Sequence, residues 1–324
     1  MTRSAATKSP LSALSAEERA IDAFELLSDE TRLAILVALW EEYEPFEAET
    51  GLRFSELYAR VGTGDSGQFS YHLDRLDGQF VDATDEGYEL SEMGLRFVQT
   101  VLAGAGIEEP DLGPARVDTT CTLCGGAVEI LYEGDYLYIL CTDCDGLWTE
   151  PGDRSHGHLG KFSLEPAGVS GRSPNEIYTA AWVSTFRKLY SMIEGVCPIC
   201  SGPVERTLDV CDDHGPDGTC PSCGHRERVV ARLRCPVCKE GAQSTAGSIA
   251  KYHPAVVGFY HDHGLALQHD IDDFETLVQR LNLGRTAVTV LSDEPPHVAV
   301  VIEIDGDRIR VELDETLSVV DIEE

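Results

Sequence analysis

The sequence predicts an α+β protein. A small helical module with one hairpin comes first, two cysteine-rich β modules follow, and a C-terminal α+β domain with an antiparallel meander closes the chain. Residues 17–104 contain no cysteine and repeat apolar side chains at helical spacing. Ten of the eleven cysteines form C-x-x-C pairs between residues 121 and 238. Four short alternating runs follow residue 285, and such alternation is typical of strands.

The chain is strongly acidic, because 57 Asp and Glu oppose 25 Lys and Arg in 324 residues and give a net charge of −32. The basic residues are 20 Arg and only 5 Lys. Scarce lysine with abundant acid resembles the composition of halophilic archaeal proteins. Molar salt shortens the Debye length to ~3 Å, so the negative charge does not exclude a nucleic-acid partner. Such a partner must then be inferred from motifs, since a basic surface is not expected.

Neither a membrane span nor an export signal is predicted. The longest apolar run, residues 33–40, has eight residues, far fewer than the ~20 that cross a bilayer. Residues 1–20 mix small, polar and charged side chains without a signal-peptide core, and residues 1–16 are expected to be a flexible tail. We therefore expect a cytoplasmic protein with no membrane partner.

The amino-terminal module predicts helices followed by a hairpin. Apolar spacing indicates a helix that opens at residues 28–31 and further helices over residues 54–61, 66–76 and 92–102. A Gly-Asp break at residues 62–65 makes the middle pair a helix-turn-helix. Residues 80–91 alternate on both sides of a turn and predict the hairpin.

Two strings in this module carry a family resemblance: LSDETRLAIL at residues 27–36 and FSYHLDRL at residues 69–76. With the hairpin that follows, they resemble ArsR-type winged helix-turn-helix regulators over about a quarter of the chain. With the cysteine-rich modules added, most of the chain resembles ArsR-type transcription regulators of halophilic archaea with C-terminal zinc-ribbon-like modules. The resemblance implies a DNA-binding domain over residues 17–104, double-stranded DNA as the partner and a homodimer.

The resemblance also implies that the helix over residues 66–76 lies in the major groove, with its apolar side turned inward. Glutamine reads adenine, arginine reads guanine, and hydroxyl groups mostly reach phosphates. For each candidate a solvated helix surface is the alternative, and for His72 local packing or capping is equally expected. The candidate DNA-binding residues are Ser66, Gln68, Ser70, Tyr71, His72 and Arg75.

The sequence departs from this family in two ways. The hairpin contains Asp82, Asp85, Glu86 and Glu89 but no Lys or Arg, so a contact between this wing and phosphate is not expected. The helix over residues 54–61 lacks the cysteine that metal-sensing members carry there, so metal sensing by that route is unsupported.

Residues 105–118 are rich in Pro, Gly and acid and predict a linker to a zinc ribbon over residues 119–150. Two runs, residues 127–132 and 136–140, stand on either side of a Glu-Gly-Asp turn and form a predicted hairpin between two C-x-x-C pairs. A ribbon brings both pairs to one end, so we expect a four-thiolate zinc site, with a redox dithiol as the alternative. Its ligands are Cys121, Cys124, Cys141 and Cys144.

Residues 196–240 predict a second, two-zinc hairpin. Its two strands, residues 201–210 and 225–234, span roughly 30 Å each, so cysteines at opposite ends of one strand cannot share a metal. The turn over residues 212–219 then places one ligand set at the hairpin tip and one at its base. The tip set is Cys211, His214, Cys220 and Cys223, and the base set is Cys197, Cys200, Cys235 and Cys238.

An alternative pairing stays open, in which Cys197 and Cys200 join Cys220 and Cys223, and the last pair finds histidine partners. Every four-ligand set lacks an open position, so structural zinc is expected. Four arginines share one face of the second strand, either as a nucleic-acid strip or, preferably, as cross-strand partners of acids. They are Arg226, Arg228, Arg232 and Arg234.

The remaining segments predict a loop and connecting helix over residues 151–195, and a C-terminal α+β domain over residues 241–324 with helices at residues 248–263 and 270–281. Its histidines are expected to be solvated or packed and not a metal cluster. No phosphate-binding loop, nucleophile elbow or carboxylate pair stands out, so no enzyme activity is expected. The histidines are His253, His261, His263 and His269.

These features favour a sequence-specific DNA-binding transcription regulator. Its zinc modules and C-terminal domain would mediate assembly, signal reception or contact with the transcription machinery. Three alternatives remain: an E-type archaeal basal transcription factor that binds RNA polymerase, a thiol sensor that releases zinc on oxidation, and a zinc-dependent enzyme with an open coordination site.

Overall fold

The structure is a computed structural model that describes residues 25–46, 51–62, 64–104, 110–149, 157–215, 217–265, 273–282 and 285–324. The chain divides into two compact units, Met1–Ala105 and Gly106–Glu324. The tail predicted for residues 1–16 lies outside the described residues. Over the described ranges, no helix combines the length and the apolar character that a bilayer crossing requires.

The first unit places a two-stranded antiparallel hairpin between its last two helices. The helices at residues 54–61, 66–76 and 92–102 have the predicted bounds, and the hairpin falls within the predicted segment. In chain order the elements are α1 (Glu30–Glu42), α2 (Phe54–Val61), α3 (Ser66–Leu76), β1 (Val81–Ala83), β2 (Tyr88–Leu90) and α4 (Glu92–Leu102).

Short polar side chains fix where three of these helices begin. Asp29, Asp65 and Ser91 accept hydrogen bonds from backbone N–H groups in the first turns of α1, α3 and α4 at 3.1, 2.9 and 3.1 Å. Each such cap stabilises a helix by ~1 kcal/mol. Gly62 ends α2 at a φ of 70°, a left-handed conformation that glycine adopts without strain.

The core of the first unit takes one apolar side from every helix and from the start of the hairpin. Gly94 lets α4 approach this core, because a Cβ atom there would lie 2.0 Å from the carbonyl oxygen of Phe80. The largest buried core residues are Ile35, Leu36, Leu39, Leu57, Phe69, Leu73 and Leu76.

The second unit opens with an antiparallel sheet in the order β3 (Ala115–Thr120), β4 (Ala127–Glu133), β5 (Tyr136–Cys141) and β6 (Gly157–Ser163). The predicted β4–β5 hairpin is confirmed. The predicted linker is wrong in its last four residues, because β3 begins at Ala115 and buries Val117 opposite Val128. The predicted loop over residues 151–195 also contains a strand, β6, whose two glycines weaken its sequence signal.

One long helix, α5 (Pro174–Ile193), lies between the two halves of the second unit. It begins at a capping box, in which Ser173 and Glu176 each accept a hydrogen bond from the other's backbone N–H group. Ile177 near its start is buried with the first sheet, whereas Met192 near its end is buried in the C-terminal core. The predicted connecting helix therefore belongs to both cores.

A three-stranded antiparallel sheet follows in the order β7 (Glu205–Val210), β8 (Val229–Arg234) and β9 (Gly241–Thr245). Strands β7 and β8 form the predicted hairpin, with Glu205 opposite Arg234 and Val210 opposite Val229. The sequence does not predict β9, because its residues are small and polar and lack a regular alternation of apolar side chains.

The chain ends with short helices and an antiparallel sheet that confirms the predicted four-strand meander. The helix predicted over residues 248–263 is divided at residues 251–253. Pro254 has no N–H group to donate inside a helix, but it fits the first position of a new one, where that group needs no partner. The elements are α6 (Ala246–Ala250), α7 (Pro254–Asp262), α8 (Phe274–Leu281), β10 (Arg285–Asp293), β11 (Pro296–Ile304), β12 (Asp307–Leu313) and β13 (Val319–Glu323).

Candidate functional site

The first cysteine group lies at one end of the β3–β6 sheet. Strands β4 and β5 bring their flanking cysteines together, as the ribbon spacing predicted. The Sγ atoms of Cys121 and Cys144 are 3.8 Å apart, and those of Cys124 and Cys141 are 3.5 Å apart. All four Sγ atoms lie within 4.8 Å of one another.

The other two groups lie at opposite ends of the β7–β8 hairpin, in the arrangement that strand length predicted. The base group joins Cys197 to Cys238 at 3.5 Å and Cys200 to Cys235 at 3.6 Å between Sγ atoms. Cys197 and Cys220 fall in different groups, so the alternative pairing is not the arrangement seen.

The tip group has three cysteines and one histidine. The Nδ1 atom of His214 lies 3.7 Å from the Sγ atom of Cys223, and the four ligand atoms are within 4.8 Å of one another. The other ring nitrogen, Nε2, donates to the carbonyl oxygen of Arg226 at 3.1 Å, which leaves Nδ1 for a metal. The ligands are Cys211, His214, Cys220 and Cys223.

Each group has the dimensions of a tetrahedral metal site. A zinc–sulfur bond of about 2.3 Å requires sulfur atoms about 3.8 Å apart, and a mixed sulfur–nitrogen edge of about 3.6 Å. The observed spacings between paired ligand atoms, 3.5 to 3.8 Å, fit that geometry. All three groups can hold a metal ion, each by four protein ligands.

Four of the C-x-x-C turns share one backbone design. In each, the first cysteine accepts a hydrogen bond from the N–H group four residues later and donates to the carbonyl group five residues later. The residue four positions on is left-handed in every case, and two of the four are glycines. The turns begin at Cys121, Cys197, Cys220 and Cys235.

Backbone N–H groups around these turns favour the thiolate form that binds metal. The N–H group of Gly215 lowers the pKa of the Cys220 thiol to about 6 from its ordinary 9.0. At the base, the N–H group of Cys238 lowers the pKa of Cys235 to about 7.

The hairpin tip is joined to the ribbon by direct backbone contacts. The N–H group of Thr149 donates to the carbonyl oxygen of Gly224 at 2.9 Å, and that of Arg226 donates to Leu147 at 2.8 Å. The guanidinium of Arg226 adds a hydrogen bond to the carbonyl oxygen of Gly146 at 2.7 Å. The first and the tip groups thus belong to one connected structure.

The four arginines predicted to share one strand face do not all lie on one strand, because β8 begins at Val229 and Arg226 and Arg228 precede it. Arg228 and Arg232 bind protein partners. Arg232 pairs with Asp209 at 2.9 Å, as the cross-strand interpretation predicted. Arg228 binds the carbonyl oxygen of Cys211 at 3.0 Å and the carboxylate of Asp293 at 2.8 Å.

The C-terminal histidines that the structure describes belong to no metal group. His253 caps α7 by accepting from the N–H group of Ala255 at 3.2 Å. His263 donates through Nδ1 to the carbonyl oxygen of Phe259 at 2.7 Å. His269 lies outside the described residues.

The structure places the six predicted DNA-binding residues on α3. Its apolar side, which includes Phe69 and Leu73, is buried in the core of the first unit. On the opposite side Tyr71 is 58% exposed, and Asp74 shares this surface. Ser66, Gln68, Tyr71 and Arg75 are exposed, and Ser70 is half-buried.

His72 is not presented with the others. It is only 7% exposed, and its Nδ1 atom lies 3.3 Å from the Oδ1 atom of Asp29, the residue that caps α1. On the helix it lies between Phe69 and Leu76, which are both buried, so it faces the core. This burial agrees with local packing, the equal alternative for His72, and keeps its side chain off the exposed side of α3.

The hairpin that follows α3 exposes acid at its tip. Asp82, Asp85 and Glu86 are exposed, and no basic residue lies between Arg75 and Arg96. Arg75 is consequently the one cation on α3 and the hairpin, in agreement with the departure from the family pattern.

Two family models match the chain, one within each unit. The first, described as "Domain of unknown function (DUF7347)", covers residues 20–101, and the second, described as "Domain of unknown function (DUF7351)", covers residues 118–319. No curated protein and no solved structure matches the chain. Because the second match spans well over half of the sequence and contains all three candidate metal groups, the chain belongs to the DUF7351 family.

Proposed function

We propose that the protein is a sequence-specific DNA-binding transcription regulator with three structural zinc sites. The first unit would be a winged helix-turn-helix domain, in which α2 and α3 form the helix-turn-helix and β1 and β2 the wing. The observation that carries this proposal is the two-sided character of α3. Its apolar side is buried, and its polar side presents Gln68, Tyr71 and Arg75 to solvent.

These side chains have the chemistry of base recognition. Glutamine donates to and accepts from adenine, and arginine donates twice to guanine, each worth ~1–3 kcal/mol of discrimination. Asp74 on the same surface can accept from the amino group of cytosine. Because the wing is acidic, recognition would depend on the helix and less on phosphate contacts.

Zinc is the metal that the ligand sets favour. Sets of four thiolates, or three thiolates and an imidazole, in tetrahedral geometry are typical of structural zinc. Four protein ligands leave no position for substrate, so the metal would hold the second unit together and the chain would not be a zinc-dependent enzyme.

The proposal is tested by selecting bound genomic fragments in molar KCl. The wild-type chain is compared with a Gln68→Ala, Arg75→Ala double variant and with a matched control, Arg96→Ala with Gln99→Ala, whose residues are exposed on α4. We expect the wild type and the control to enrich the same fragments. The recognition variant should lose at least about thirty-fold in affinity for them, from two lost contacts of ~1–3 kcal/mol each.

The enriched fragments should contain an inverted repeat, since a twofold dimer reads two half-sites about one helical turn apart. Equal enrichment by all three proteins would refute recognition by α3. If the wild-type chain enriched no fragment but bound RNA polymerase, the basal-factor alternative would be favoured.

A further inference from the structure

The lysines of this chain are concentrated in one place. Only 5 of the 324 residues are lysine, and all four that the structure describes line a single cleft in the second unit. The cleft also contains Arg280, and its acidic lining residues are Glu227 and Glu240. The cleft therefore has five basic and two acidic lining residues. This charge balance is the reverse of that of the whole chain, which has 57 acidic and 25 basic residues. The four lysines are Lys161, Lys188, Lys239 and Lys251.

The cleft has a volume of about 800 Å³ and lies between the β6 side of the first sheet, helix α5 and the β8–β9 edge of the second. This volume is within the range of small-molecule sites. One wall is an aromatic row on α5, formed by residues four positions apart, so they share a helix face. The row consists of Tyr178, Trp182 and Phe186, with Trp182 and Phe186 ring centroids 5.3 Å apart.

Arg280 lies against this aromatic row, and Lys251 lines the same cleft. The guanidinium carbon of Arg280 is 4.0 Å from the ring centroid of Phe186, and the hydroxyl group of Tyr252 is 3.5 Å from the carbonyl oxygen of the same phenylalanine. Lys251 directly precedes Tyr252 and is half-buried, with its Nζ atom 5.9 Å from the ring centroid of Tyr260.

Burial lowers the pKa of both cations, and the charge of Arg280 lowers that of Lys251 further. Lys188, which also lines the cleft, pairs with Glu240. The Lys251–Arg280 end thus holds two like charges close together in a partly dry, aromatic environment. An anion placed there would be attracted by both charges with little screening.

We propose that this cleft binds a small organic anion with an aromatic body. The acid group of the ligand lies at Lys251 and Arg280, and the body lies along Tyr178, Trp182 and Phe186. The ligand would contact α5, which belongs to both cores of the second unit. The proposal does not depend on DNA recognition, and binding is measured without DNA.

The test uses the full, metal-loaded chain in molar KCl, which screens adsorption to exposed charges. The probe is anilinonaphthalenesulfonate, an aromatic anion whose fluorescence rises in apolar surroundings, and its uncharged counterpart is phenylnaphthylamine. We expect one saturable site per chain for the anion. Lys251→Met and Arg280→Met should each weaken it roughly tenfold, the usual loss of a charge-assisted hydrogen bond. Lys251→Arg should retain most of the affinity.

The matched control is Arg187→Met, which removes a cation from the exposed side of α5. It should bind the anion as the wild type does. Equal affinity of the wild type for the charged and uncharged probes would overturn the proposal without any variant. The proposal would also be overturned if Lys251→Met and Arg280→Met both bound the anion as tightly as the wild type. An equal loss of affinity in Arg187→Met would overturn it as well.

Discussion

At the scale of single residues, His263 connects two elements of the C-terminal domain. It follows α7, and its Nδ1–H group donates to the carbonyl oxygen of Phe259. Its Nε2 atom lies 3.2 Å from the carboxylate of Asp307 at the start of β12. The hydrogen bond to the carbonyl oxygen of Phe259 raises the pKa of His263 above its ordinary 6.5, and the negative charges of Asp307 and Asp305 raise it further.

This histidine should make the stability of the second unit depend on pH. A pKa that is higher in the folded state means that the protonated form stabilises the fold. Its contribution is complete below the unfolded-state value near 6.5 and disappears as pH rises through the higher folded value. The difference in Tm between the wild type and His263→Gln should therefore shrink as pH rises through this window. A difference that grows or stays constant would show that the imidazolium does not stabilise this junction.

Residue types alone predicted some functional side chains better than others. Cysteine and histidine are specific in their spacing, so all twelve metal-group residues could be predicted from the sequence, including His214 three positions after Cys211. His72 is among the candidate DNA-binding residues, even though it lies three positions after Phe69 and four before Leu76, which is the spacing of the inward side of the helix. The cleft was not predicted. The scarcity of lysine was visible in the sequence, but only the fold shows that lysines distant in sequence line one cleft.

At the scale of elements, hairpins with clear turns were predictable and isolated strands were not. The β4–β5, β7–β8 and C-terminal hairpins have runs of strand-forming residues on both sides of a turn. Strands β3, β6 and β9 lie at the edges of their sheets. β6 and β9 have small, polar or glycine-containing sequences with little alternation, and the short alternating run of β3 follows directly on an acidic stretch rich in Pro and Gly. Each of them pairs with the strand next to it in the chain, so what the local pattern fails to show is the strand itself and not its partner.

The acidic hairpin after α3 should limit how strongly the first unit binds phosphate. Asp85→Lys with Glu86→Lys replaces two exposed acids at the tip by cations. If this hairpin lies beside the duplex, affinity should rise, and the plot of log affinity against log salt should steepen by up to about two, since each new phosphate contact adds ~0.9 to the slope.

The control makes the same change in charge on exposed residues of the other unit, Glu303→Lys with Asp321→Lys. It should alter the slope much less. An identical change in both proteins would mean that overall charge, and not the position of the hairpin, governs DNA affinity.

At the scale of the whole molecule, the two units differ in what holds them together. The first has an apolar core and capped helices and contains no cysteine among residues 1–105. The second contains all three metal groups, and two of them are joined by backbone hydrogen bonds through Arg226 and Thr149. A structural zinc site contributes roughly 10–16 kcal/mol, comparable with the entire stability of a domain, about 5–15 kcal/mol.

Metal removal should therefore unfold the second unit and leave the first intact. Mass spectrometry of the native chain should find three zinc ions, one for each group. After chelation, hydrogen exchange should lose its protection in β7 and β8 while α1 and α3 remain protected. Fewer than three ions, or loss of protection in both units together, would contradict this division.

The most direct test of the central claim is a photochemical crosslink from α3 to a selected DNA fragment. Tyr71, exposed on α3, is replaced by p-benzoylphenylalanine, and in a second protein Met93, which is 53% exposed on α4, is replaced in the same way. Under conditions where both proteins bind the fragment, irradiation should attach DNA to position 71 and not to position 93. A protein that binds the fragment but forms no adduct from position 71, or forms it equally from both positions, would contradict the claim that α3 lies against the duplex.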